Sequence, residues 1–73
     1  MTLAELRSLT WTHTETWTTQ SQVETFFVND EHKLGMATRV PAKQSTTWWL
    51  QEGLRELDSL EELLEAINAR EAA

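Results

Sequence analysis

Hydrophobic and polar positions alternate with period two over much of the first half of the chain and take their clearest helical period at its end. Residues 10–19 read TWTHTETWTT, with Thr at every even position from Thr10 to Thr18 and Trp11, His13, Glu15 and Trp17 between them. Side chains on a strand alternate between two faces. The segment therefore predicts a strand from about Leu9 to Thr19, with a Thr face and a face of two Trp flanking a His and a Glu. So long a run exceeds the usual strand of about 5–6 residues. A bend or bulge is expected near His13 to Glu15, where the Trp face turns polar. Gln20 and Ser21 are the expected turn.

Val23 to Asn29, VETFFVN, reads as a second strand. Phe26 and Phe27 are adjacent and point to opposite faces, which suggests a central position with apolar material on both sides. Asp30 to Lys33 is a polar connection of hairpin length. Leu34 to Val40 reads as a third strand with Leu34, Met36, Thr38 and Val40 on one face. Gly35, Ala37 and Arg39 lie on the other, and these small residues leave room for a large neighbour, such as a Trp, to lie across the sheet. Pro41 is expected to end this strand, because proline cannot donate to the ladder.

Thr2 and Glu5 have capping-box spacing and Leu3, Leu6 and Leu9 recur every three residues, so residues 2–9 are either a short helix or irregular chain leading into the first strand. Ser45 to Gln51, STTWWLQ, is a fourth strand that sends Trp48 and Trp49 to opposite faces, or a helix continuing through Leu50, Leu54 and Leu57. Gly53 would cost that helix about 1 kcal/mol against Ala, and the Thr-Thr-Trp-Trp run favours the strand. From about Ser59 to Arg70, Leu60, Leu63, Leu64 and Ile67 form one apolar stripe behind a capping box at Asp58/Glu61 or Ser59/Glu62. The order predicts an α+β fold in one small domain over residues 1–73. It is an antiparallel meander of three or four strands with one C-terminal α-helix packed on the sheet.

Length and composition narrow the function. A chain of 73 residues is marginal on its own, and small scaffolds usually add disulfides, a metal or a partner subunit. The chain has no Cys, which removes disulfides and thiolate zinc sites. A homo-oligomer, or a dense core built on four Trp and two Phe, is the remaining support. The first strand carries no Lys or Pro guard, so twofold pairing through its edge is the simplest closed assembly. The net charge of −6 opposes binding to phosphate backbones and anionic membranes, so direct nucleic-acid binding is not expected. No apolar run approaches the roughly 20 residues of a membrane span. The first residues have neither a basic nor an apolar leader pattern, and a cytoplasmic location is expected.

Candidate chemistry is sparse. No cofactor motif is present, and two Gly cannot build a phosphate-cradling loop. His13 and Glu15, about 7 Å apart on one strand face, are the one candidate acid–base or metal pair, with Asp30 and His32 as possible additions. Metal sites need three or four convergent ligands, and a polar patch on an exposed strand end explains the pair more simply. The Thr ladder would offer hydroxyls and methyls to carbohydrate, ordered water or another sheet edge, although Thr is also an ordinary residue for a solvent-facing strand. The Trp set would stack bases or sugars only beside a basic groove, which this chain lacks. Trp is enriched at protein interfaces, and Trp11 and Trp17 are the candidates.

Six carboxylates crowd residues 52–65. Helix capping and dipole effects account for Asp58, Glu61 and Glu62. Glu52, Glu56 and Glu65 are left over as candidate contacts to a basic partner, with Glu65 placed most directly because it lies off the apolar stripe. The expected function is that of a small acidic, non-enzymatic protein-binding module, such as an inhibitor, immunity protein or mobile-element accessory protein. The alternative is a structural module that self-associates through a sheet edge, and a His/Glu metal site or enzyme is the least favoured reading.

Overall fold

The computed structural model describes residues 1–41, 45–53 and 55–72. A short helix α1 (Leu3–Arg7) leads into strands β1 (Thr12–Thr18), β2 (Gln22–Asn29), β3 (Leu34–Pro41) and β4 (Ser45–Leu50), and helix α2 (Leu60–Ala72) follows. The strands form one antiparallel sheet in the order β1-β2-β3-β4, the expected meander with its C-terminal helix. β2 is interior, as its two-sided apolar pattern requires. β3 includes Pro41 as its last residue, paired with Gln22, one position beyond the expected stop. Leu54, part of the alternative helical stripe, lies outside the described residues.

Local chemistry sets the ends of these elements. Thr2 caps α1 with a full capping box, its hydroxyl accepting from the Glu5 amide at 3.2 Å while the Glu5 carboxylate accepts from the Thr2 amide. Ser59, not Asp58, starts α2, with its hydroxyl accepting from the Glu62 amide at 3.1 Å. In the β1–β2 turn, the Thr19 hydroxyl accepts from the Ser21 and Gln22 amides. In the β2–β3 turn, buried Asn29 accepts from the His32 amide at 2.8 Å and donates to the Thr10 carbonyl at 3.0 Å. That second bond fastens the chain entering β1 to the far end of β2.

Register divides the sheet into two faces. Leu34, Met36 and Thr38 pair with Leu50, Trp48 and Thr46, and they share one face with Phe27 and Thr25. The helices lie on this face, but over one end only. Leu6, Leu34, Leu57, Leu63 and Ile67 form the buried core there, with Trp11, Trp48 and Leu50 packed against it. Burying a side chain of this size stabilises by roughly 1.5–3 kcal/mol relative to exposure, and α1 is held through its contact with α2. Beyond the helices the sheet runs on, which accounts for the elongated extents of 42 × 23 × 20 Å.

The two sheet edges differ. Trp48 and Leu57 exchange backbone bonds of 2.9 and 2.7 Å, so the segment after β4 closes that edge. β1 pairs with β2 alone, and every residue of β1 is exposed.

Lys33, closing the β2–β3 turn, is the one described non-glycine residue with positive φ, at 56°. The left-handed conformation costs an L-residue roughly 1–2 kcal/mol, more than the roughly 0.5–1 kcal/mol of extra entropy that Gly loses on ordering. Lys33→Gly is therefore expected to stabilise the fold by about 0.5 kcal/mol, visible as a melting temperature about 2–4 °C higher. An unchanged or lower melting temperature would contradict the turn geometry.

Candidate protein-binding surface

The helix-free face of the sheet is assembled by a bulge in β1. The β1–β2 register shifts between His13 and Glu15, and the Thr14 hydroxyl donates to the Phe26 carbonyl at 3.2 Å. The extra residue reverses the alternation. His13, Thr16 and Thr18 go to the helix-bearing face, while Thr12, Glu15 and Trp17 go to the other. The expectation that His13 and Glu15 share a face is thus corrected, and so is the continuous Thr ladder. His13 instead bonds to the Thr16 hydroxyl at 2.8 Å and meets Phe27 edge-on at 5.9 Å. Among the described residues no three His, Asp or Glu converge as a metal-holding group.

On the helix-free face, Trp17 packs edge-on against Phe26, with ring centroids 6.1 Å apart, and remains 58% exposed. Trp49 lies across Gly35, where a Cβ would fall inside its indole ring. Ala37 is fully buried between its cross-strand neighbours Phe26 and Thr47. Arg39 spans this surface, donating from Nε to Glu24 at 3.0 Å, from Nη1 to Thr47 at 3.0 Å and from Nη2 to Glu56 at 3.3 Å. Glu24 and Arg39 are both half-buried, which shields their pair from solvent. The Glu56 side chain is 60% exposed, and an ion pair so exposed contributes little. Phe26, Trp49, Gly53 and Glu56 line an open cleft of about 270 Å³. Among the described residues, Glu15, Glu24 and Glu56 stand against Arg39 on this face, three carboxylates to one guanidinium.

The structure scatters the candidates chosen from sequence. Trp17 and Glu56 come together on this face, linked through Glu24 and Arg39. Trp11 does not share a face with Trp17: it precedes β1 and packs against the helical core. Glu65 is exposed on α2, on the opposite side of the sheet. Glu52 and Glu56 each pair with an arginine, Arg70 and Arg39, through side chains that stay half or more exposed.

Glu52 accepts from Arg70 at 3.1 Å, and Arg70 also donates to the His32 carbonyl at 2.7 Å, clamping the end of α2 to the β2–β3 turn. A bond from its own backbone and then the Arg70 guanidinium hold the Glu52 carboxyl below the usual range. A lowered carboxylate pKa stabilises the fold at neutral pH, and that contribution is lost as pH falls through the folded value. Sequence reasoning missed Glu24, Phe26, Arg39 and Trp49 as a group. Alternation puts Glu24 and Phe26 on one face of β2, but only the cross-strand register brings Arg39 and Trp49 to that face.

Comparison with family models, with curated proteins and with solved structures finds no match to this chain. Among the described residues no helix is long and apolar enough to cross a membrane.

Proposed function

We propose that this protein is a small, non-enzymatic binding module that docks a basic partner protein through the helix-free face of its sheet. One observation carries the reading: a sheet face over which no helix or strand lies among the described residues presents Trp17, Phe26 and Trp49 beside an excess of carboxylates. Aromatic side chains at the centre and charge at the rim are the usual composition of a protein interface. The acidic surface steers a basic partner during encounter, and salt weakens that steering over a Debye length of about 8 Å. Roles as an inhibitor, immunity protein or mobile-element accessory protein suit this size and charge, and a cytoplasmic setting suits the absence of Cys.

A photo-crosslinking residue at position 17, compared with the same residue at position 65 on the outer side of α2, tests the assignment. In a native lysate, position 17 is expected to yield a discrete adduct with a basic protein, diminished by high salt, while position 65 yields none. Equal labelling from both positions overturns it.

The free edge of β1 favours a second reading, self-association by strand pairing, because the opposite edge is closed by Leu57 and this one is open. The Thr14 bulge restricts that pairing to Glu15–Thr18, since bulges blunt edge-to-edge contact. An adduct of the protein with its own copy at position 17, together with a dimer in sedimentation at micromolar concentration, would select this reading over the first.

A further inference from the structure

We infer that the cleft between Phe26, Trp49, Gly53 and Glu56 is a socket for an arginine side chain of the partner, an inference that rests on the docking face proposed above. Its walls are the Phe26 and Trp49 rings, and one carboxylate stands at its rim. Gly35 beneath Trp49 fixes the position of the indole, because the ring occupies the space a side chain would fill.

Three features choose the occupant. Cations are attracted to aromatic ring faces, most strongly to Trp. An apolar plug would strip water from the Glu56 carboxylate and give it nothing in return. A planar guanidinium stacks on an indole and forks onto a carboxylate together, whereas the compact ammonium of lysine does only the second well.

Glu56 is ready to accept such a fork. It binds Arg39 through Oε1 at 3.3 Å, the longest of the three bonds from that guanidinium, and Oε2 takes no bond among the described residues. Arg39 stays anchored by Glu24 and Thr47 when Glu56 turns toward the incoming cation. Arg39 therefore sets the place of the rim carboxylate without filling the cleft. The volume of about 270 Å³ accommodates one arginine side chain with its first waters.

The test needs only the purified protein and two peptides, acetyl-Gly-Arg-Gly-amide and its citrulline counterpart, which keeps the shape and removes the charge. Titration at low salt is followed by the indole N–H resonances of the four Trp and the amide of Gly53. The arginine peptide is expected to shift Trp49 and Gly53 saturably and to leave Trp11 and Trp48 unmoved. The citrulline peptide should bind about tenfold more weakly, and Glu56→Gln should weaken the arginine peptide by about fivefold. Unmoved Trp11 and Trp48 resonances in the variant verify that its fold is intact. Equal shifts from both peptides, shifts centred on Arg70 or Glu65, or an unchanged affinity in Glu56→Gln overturn the socket. Failure here with a discrete adduct from position 17 leaves the docking face standing without an arginine socket. An intact socket with no such adduct removes the docking assignment instead.

Discussion

Gly35→Ala is expected to destabilise the protein by about 3 kcal/mol, the upper end for adding a methyl group to a filled site. Ala in place of Gly within a strand ordinarily stabilises by roughly 0.5–1 kcal/mol, because Gly loses more freedom on folding. Gly35 has no positive φ, so the backbone itself would accept Ala. The obstacle is the Trp49 ring, which occupies the place of the missing Cβ. The ring must move off the strand, exposing its own inner face and the backbone beneath it. Urea midpoints should fall accordingly. Against a Trp49→Val background the sign should reverse, with Gly35→Ala gaining about 0.5 kcal/mol once no ring stands over the strand. A cost that persists without Trp49 would mean that something other than the indole fills this site.

The sequence showed that the Gly35 face has room for a large neighbour such as a Trp, but the β3–β4 register decides that the neighbour is Trp49 and not Trp48. The C-terminal helix was legible from local signals, since Ser59 stands directly before the apolar stripe with Glu62 at capping-box spacing, whereas the same spacing at Thr2 and Glu5 left residues 2–9 open between helix and irregular chain. What alternation could not reveal is the effect of a bulge. One inserted residue at Thr14 changes the face of everything before it, so Trp11 parted from Trp17 and His13 from Glu15. The bulge was anticipated, but its consequence for the faces depends on which residue leaves the ladder. Thr14 is the residue that leaves it, and its hydroxyl donates to the Phe26 carbonyl on the neighbouring strand.

The acidic residues were illegible for a different reason. Glu52 and Glu56 find Arg70 and Arg39 across 18 and 17 residues of chain, and no local pattern encodes those pairs. The candidate site suffers most from this, since it is made of cross-strand neighbours rather than of any one segment. Exposed Glu65 makes no hydrogen bond or ion pair among the described residues, and it lies away from the aromatic face.

Ile67→Ala is expected to cost about 3–4 kcal/mol, within the range for truncating a buried Ile. Ile67 is fully buried one turn after Leu63, where α2 meets Leu6 of α1, Leu34 of β3 and Leu57 beside β4. The cluster is small, so the space left by three carbons has few neighbours able to collapse into it. A chain of this length carries only about 4–11 kcal/mol in total, so the variant should stand close to its unfolding threshold at 37 °C. The helices cover one end of one face, which makes the loss spatially uneven. Below the main transition, the Trp11 and Trp48 indole resonances should broaden or shift, because both rings pack against this cluster. Trp17 and Trp49 should hold their positions, because their surroundings are Phe26, Gly35 and the far face of the sheet. Leu64→Ala serves as the comparison, since Leu64 is only half-buried on the same helix and should cost about 1 kcal/mol. Equal losses from Ile67 and Leu64, or simultaneous movement of all four indoles below the transition, would mean that the two sheet faces are not separately packed. The binding face would then depend on the helical layer behind it, and variants of the core would be expected to weaken docking as well as folding.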